Sequence, residues 1–312
     1  MGSTDLSIAP NMLQSGSYSA QRLRQMVTSL WPEGVVGLTD LAVSQRGAGA
    51  NMSVDVAAGD AYILGDAVTR QGMYHVRNDA TVNVAVTAAD ATNPRIDRVV
   101  ATIKDDAHDA SGLNICRIQT VDGTPTVGAT LTNLSGAAAI PASSLHLANI
   151  LVSASPDVTI VTGDISDQRV FVTKGCRIYN SANINIGTSG TAQTLTFDSE
   201  RFDYDGMHST SSNTSRITFN TAGVYYFQGN ITFALNTTGI RKGIVLLNGG
   251  TTIARTAGLA TTGLSHDLQV AGVYAFSAGD YIELQAYQNS GGALDVSASL
   301  NFTPEFMALR IR

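Results

Sequence analysis

Between Ser215 and Ala234 the chain reads SRITFNTAGVYYFQGNITFA, and its second half alternates strictly. Tyr225, Phe227, Ile231 and Phe233 fall on one side with Gly229 in step, while Tyr226, Gln228, Asn230 and Thr232 fall on the other. A period of two belongs to a strand with one buried and one wetter face. Asn220-Thr221-Ala222-Gly223 reads as a tight turn in which Gly223 supplies a positive φ. The stretch therefore predicts a hairpin in an antiparallel sheet. The same period returns in CRIYN, QTLTF, RKGIVLLN, DYIELQAYQ and FMALRIR. Leu294, Val296, Ala298, Leu300 and Phe302 share one face across nine residues. Nothing beyond residue 174 predicts a helix.

The first half begins differently. Residues 1 to 16 are polar and aperiodic, a free arm or one that threads into a partner. One helix follows, capped by Ser17 or Ser19, with Leu23, Met26, Val27 and Leu30 at the spacing of one apolar face and Arg22, Arg24 and Gln25 opposite. Trp31-Pro32 and Gly34 end it, because Pro32 cannot continue the ladder. A short amphipathic helix ahead of a β chain packs on a neighbouring sheet or subunit. Strand patterns then dominate. Met52, Val54 and Val56 alternate before Gly59-Asp60, Val82, Val84 and Val86 alternate again, and Val99, Ala101 and Ile103 share a face. The loop KDDAHDASG joins IDRVVATIK to LNICRIQTV as a hairpin. Val170 to Gly175 is a short, stiff junction. The expected organisation is an arm and helix over 1–34, a small β domain over 35–173, and a β-sandwich domain over 174–312.

Composition narrows the partners. Of 312 residues only 14% are charged, which suits long-lived extracellular β structure better than a cytosolic enzyme. A net charge of -6 offers no basic face to nucleic acid. No apolar run approaches the length of a membrane span. The first residues lack the basic and apolar regions of a secretory signal, and Gly does not recur at every third position. Cys116 and Cys176 each sit in an apolar strand-like run without a C-x-x-C, and read as buried free thiols.

Two resemblances give these patterns a context. Phe219, Gly223, Tyr225 and Phe227 stand in an F-x-x-x-G-x-Y-x-F spacing, followed by Leu247-Asn248-Gly249 and by Ala278-Gly279-Asp280-Tyr281-Ile282-Glu283-Leu284. That order resembles the globular head of the complement C1q and tumour necrosis factor family, over roughly Cys176 to Arg312. The resemblance implies a ten-stranded antiparallel jelly roll that assembles as a homotrimer. Upstream, GVV, DLAV, MSVDVAAGDAYI, NPRIDRVVATI, LHLANILV and DISDQR occur in order. NPRIDRVVA followed by Pro-x-x-x-Leu-x-Leu-Ala at Pro141 to Ala148 is the most specific part. This order resembles the N-terminal module of tailed-bacteriophage minor tail and baseplate proteins, over roughly Tyr18 to Val172. It implies attachment of this part to a virion, with the distal jelly roll facing the host.

Candidate chemistry is sparse. There is no G-x-S-x-G, H-E-x-x-H, P-loop or dinucleotide fingerprint. The segment DSERFDYDGMH gathers Asp198, Glu200, Asp203 and Asp205 beside Tyr204 and His208. Oxygen ligands at Asp203 and Asp205 before Gly206 would suit calcium, a carboxylate pair would suit a glycosidase, and a solvated acidic turn is the plain alternative. Tyr287 and Asn289 border the Ser290-Gly291-Gly292 loop and offer a ring face with amides to a sugar. The expectation is a non-enzymatic, homotrimeric tail or baseplate protein without cofactor. It would be made without a signal peptide, reside in the virion, and contact other tail proteins and a host saccharide or protein. Its receptor contacts would be Asp203, Tyr204, Asp205, His208, Tyr287 and Asn289. A purely structural tail-tip protein and a cell-envelope polysaccharide depolymerase are the alternatives.

Overall fold

The computed structural model describes residues 19–156, 158–187, 189–299 and 302–311. The N-terminal arm, Ser17 and Leu300 lie outside them. The chain divides into two compact units, Met1–Val172 and Thr173–Arg312. Both are mainly antiparallel β.

In the first unit, helix α1 spans Ala20–Thr28, capped by Ser19, whose hydroxyl accepts the Arg22 N–H. Strands follow as β1 (Gly34–Val35), β2 (Val43–Gln45), β3 (Ser53–Val56), β4 (Gly59–Gly65), β5 (Gly72–Asn78), β6 (Val82–Ala85) and β7 (Arg95–Asp105). One helical turn, α2 (Asp106–Asp109), interrupts the expected loop before β8 (Asn114–Val121), β9 (Ser144–Val152) and β10 (Ile165–Asp167). The strands form three sheets, β1-β4-β5, β2-β3-β6 and β10-β9-β7-β8. The β7–β8 hairpin has the expected antiparallel pairing, Ile103 opposite Cys116. Val54, Val56, Val99, Ala101 and Ile150 meet in the core. The resemblance words serve as clamps here. Arg95 pairs with the fully buried Asp97 at 2.9 Å and donates to the Ala88 carbonyl, and Asp97 accepts the Gly123 N–H. Arg169 of DISDQR pairs with Asp167 at 2.7 Å and ties down the Leu38 and Asp40 carbonyls.

Two expectations fail in this unit. The helix stops at Thr28, three residues before Trp31, and it packs on β5 through its polar side. Arg24 lies 4.5 Å over the Tyr74 ring, donates to the Gln71 carbonyl and stands 3.6 Å from Asp105, while Gln21 and Gln25 donate to the Arg70 carbonyl. Charge-assisted bonds to a preformed turn outweigh an apolar stripe too short to bury itself, so Leu23, Leu30 and Trp31 stay exposed. Cys116 is exposed on edge strand β8, whereas Cys176 is buried as read.

The second unit contains β11 (Gly175–Tyr179), β12 (Ile184–Ile186), β13 (Ala192–Thr194), β14 (Ser199–Asp203), β15 (Arg216–Thr218) and β16 (Gly223–Phe233). It continues with β17 (Ile240–Leu247), β18 (Thr251–Leu259), β19 (His266–Phe276), β20 (Tyr281–Gln288), β21 (Leu294–Val296) and β22 (Glu305–Arg310). One sheet runs β12-β21-β16-β22-β11-β14, with β19 also on β16; the other runs β13-β20-β17-β18, with β15 also on β20. Successive strands repeatedly change sheet, which is the connectivity of an antiparallel jelly roll. Tyr225, Phe227, Ile231 and Phe233 line the core with Phe219, Phe276 and Phe306, as the alternation predicts. Phe219 and Phe276 stack with centroids 3.8 Å apart.

The predicted hairpin does not form. β15 pairs with β20 and β16 with β19 and β22, so residues 219–222 cross between sheets. Gly223 is the first residue of β16, opposite Phe276, and is not among the positive-φ glycines. The nine-residue alternation also breaks: β21 ends at Val296, Ser299 bridges to Thr303, and Phe302 is 49% exposed.

Candidate functional site

The acidic segment is a self-contained turn. Asp203 accepts the backbone N–H groups of Asp205, Met207 and His208 at 3.2, 3.0 and 2.9 Å. Asp205 holds Lys174 at 2.8 Å and accepts the Thr221 hydroxyl at 3.0 Å. His208, with its side chain wholly buried, lies between the Glu200 carboxylate at 2.9 Å and the Thr214 carbonyl at 3.3 Å. Asp198 accepts both the backbone N–H and the hydroxyl of Ser181. Tyr204 packs on Phe202 with centroids 5.0 Å apart. Each of these carboxylates is engaged by groups of its own turn or of the strands beside it. Among the described residues, no three His, Cys, Asp or Glu side chains converge as metal ligands would.

The other two candidates stand at the opposite end of the unit. Strand β20 begins at Tyr281, beside Thr218 and the acidic turn, and reaches Tyr287 six residues later, about 20 Å away at the rise of a strand. Lys242 caps the Tyr287 ring at 4.3 Å, and the Asn289 side-chain oxygen accepts the Ile240 N–H. Asp203, Tyr204, Asp205 and His208 are therefore brought together, and Tyr287 and Asn289 are kept apart from them.

A different surface is more suggestive. On the outward side of the larger sheet, Tyr226 stands between Val273 of β19 and Leu309 of β22. The next row is Ala271, Gln228 and Met307, and the next Gln269, Asn230 and Glu305. The Tyr226 hydroxyl donates to Gln228 at 2.6 Å, and Gln228 to Asn230 at 3.0 Å, so the amides are already paired along the strand. Val273 is 59% exposed. Glu305, buried on this same side, binds both Arg177 and Arg201, and Arg201 lies 4.0 Å over the Tyr179 ring. Beside them opens a cavity of about 650 Å³ bordered by Tyr179, Asn180, Ser181, Arg201, Ala298 and Thr303. Tyr226, an apolar ring on the wetter face of its strand, already signals the first feature in the sequence, whereas sequence reasoning missed the second.

Comparison with known proteins adds little to this geometry. No family model and no curated protein matches the chain. Solved structures similar to it include murine APRIL at pH 5.0, at 12% identity and TM-score 0.35, over 45% of this chain and 99% of that one. The globular domain of the zebrafish complement 1qA protein matches at 13% identity and TM-score 0.34, over 45% and 98%. Eiger TNF from S. frugiperda matches at 10% identity and TM-score 0.34, over 45% and 93%. Scores at this level carry no argument about activity, and the jelly roll rests on the strand pairings themselves.

Proposed function

We propose that the chain is a homotrimeric attachment protein of a bacteriophage tail or baseplate. Residues 174–312 would face the host surface, and residues 1–173 would hold the particle. The observation that carries the trimer is the Val273–Tyr226–Leu309 row, an apolar strip on the outward side of a sheet whose polar groups are already paired. A closed three-fold interface would cover it. The virion side of the reading is supported by the sequence resemblance over residues 18–172 and by the exposed Leu23, Leu30 and Trp31 on and just after α1, which suit a neighbouring protein. The host side is supported by the cavity at Tyr179, Asn180, Ser181 and Arg201, whose size and mix of ring and polar groups suit a saccharide. Three weak sites presented together gain avidity without any new contact.

Competition tests this reading. Purified trimer should reduce adsorption of the phage to susceptible cells. If an intact trimer neither binds these cells nor competes, the purely structural tail-tip role takes its place.

A further inference from the structure

Three strand edges meet across one groove in the first unit. β8 pairs with β7 alone, β5 ends the sheet β1-β4-β5, and β6 ends the sheet β2-β3-β6. Along β8 lies a space of about 340 Å³ walled by Tyr74, Val76 and Arg77 of β5, then one of about 460 Å³ walled by Val82, Val84 and Ala85 of β6. Cys116 borders both, and a smaller space over Leu41 and Ala101 shares residues with each. At the far end the Thr120 hydroxyl donates to the Ala85 carbonyl at 2.9 Å. From Asn114 to Thr120 the groove follows six residues of β8, about 20 Å at the rise of a strand.

β8 is thinly covered for a strand that carries apolar residues. Ile115 is 43% exposed, and Cys116 is exposed. An edge without a strand partner leaves backbone N–H and carbonyl groups that another strand can pair. Cys116 and Ile118 stand opposite the core residues Ile103 and Ala101 and share their face, while Ile115 and Arg117 take the other. Arg117 is exposed and forms no ion pair among the described residues.

The chain itself supplies a strand of the right kind. α1 is docked on β5, and its Arg24 reaches Tyr74 and Asp105, which both border the first space. Ser19 lies five residues before Arg24, about 8 Å along the helix, and residues 1–18 precede it. That arm is polar overall, but Leu6 and Ile8 stand two apart in Asp5–Ala9, and Pro10 closes the run. Residues 10–18 span up to about 30 Å when extended, enough to bring the run to β8. With Leu6 and Ile8 turned to Cys116 and Ile118, Asp5 falls on the face of Arg117 whichever way the added strand runs. Asp5 is the only charged side chain of the arm. A tethered segment also acts at an effective concentration in the millimolar range, which a free partner would have to exceed.

We propose that residues 5–9 of the arm lie in this groove as a strand added to β8 of the same chain, with Leu6 and Ile8 covering Cys116 and Ile118. The proposal goes beyond the attachment reading and stands without it, since it concerns the first unit alone.

Maleimide labelling of Cys116 in the full chain tests it. The double variant Leu6→Asp, Ile8→Asp should be labelled there at least about tenfold faster than the wild type, because two apolar side chains no longer hold the groove closed. Asp5→Lys should speed labelling by a smaller factor. Unchanged circular dichroism and an unlabelled Cys176 would show that the folds of these variants are intact. Under a mild oxidant, Leu6→Cys or Ile8→Cys, whichever lies across from Cys116, should close a disulfide with it within one chain. Ser7→Cys, on the other face, should not. Equal labelling rates in the wild type and the double variant, or a disulfide formed by Ser7→Cys alone, would overturn the proposal. Disulfides that join separate chains would overturn the same-chain placement and assign the groove to the arm of a neighbouring copy.

Discussion

Tyr226 of β16 lies directly opposite Val273 of β19, and both side chains stand on the side of the sheet turned away from the core. A β-sandwich has its apolar side inward, so an aromatic and an aliphatic residue paired on the outer side need cover from elsewhere. The trimer reading starts from this pair. The remaining structure supplies tests that are independent of it.

Asp203 holds its turn through three backbone N–H groups. Asp203→Ala should leave those donors without an acceptor and lower stability by about 2–3 kcal/mol. Asp203→Asn keeps one carbonyl oxygen and should cost less. Denaturant midpoints of the two variants check the order. The reading of this residue as a free receptor contact predicts no loss in either.

Gly223 and Gly239 separate in the same way. Gly239 has φ +86°, and a Cβ there would stand 2.4 Å from the Asn289 side-chain oxygen. Gly239→Val should therefore cost about 1–3 kcal/mol in backbone strain alone. Gly223→Val sits at the start of a strand without a positive φ and should cost less than about 1 kcal/mol. Thermal melts of both variants decide it, and equal losses would contradict the cross-over between sheets.

Acid should weaken the fold in a defined window. Hydrogen bonds from Arg77 hold Asp60 below the usual carboxylate range, those from Asn93 and Thr92 hold Asp90 there, and those from Asn248 and Ser277 hold Asp280. A depressed folded pKa gives stability that is present above the unfolded value, near 4, and lost as pH falls through the folded one. The urea midpoint should already fall slightly as pH drops through about 6.5, because burial lowers the His146 pKa, and should decline further below about pH 4. These groups are only partly buried, so solvent screens them and the decline should be shallow and smaller at high salt. A midpoint that rises on acidification would contradict this account.

The two thiols should report opposite environments. Cys116 is exposed, but neighbouring atoms desolvate it and push its thiol up to about 11. Cys176 is fully buried, and burial raises its pKa well above that of an ordinary thiol. Native protein should react slowly with one equivalent of maleimide, faster as pH rises, and with a second only on unfolding. Mass spectrometry of the labelled peptides checks the assignment. Labelling of Cys176 in the native protein would show that its core opens.

Much of this fold was legible because its strands are half-buried. β16 shows a clean period of two since one face meets Phe276 and Phe306 and the other does not. In β7 both faces are covered, Val99 and Val100 alike, so apolar residues follow one another and the period fades. The hairpin failed for a local reason. Asn220–Gly223 has the same turn residues whether the chain doubles back or crosses to the facing sheet, and only the distant partners β19 and β20 decide. The site suffered similarly. A carboxylate that binds its own backbone is indistinguishable in sequence from one that binds a ligand. The Glu305 pairings join residues 104 and 128 positions apart, beyond any motif.

The account turns on the assembly that covers Tyr226. Sedimentation equilibrium of the full chain should give a single species at three times the 32.6 kDa chain mass. Tyr226→Arg places a charge on the covered strip, and should give the 32.6 kDa monomer with unchanged circular dichroism. A wild-type chain that stays monomeric at micromolar concentration, or a Tyr226→Arg variant that remains trimeric, would contradict the proposed interface.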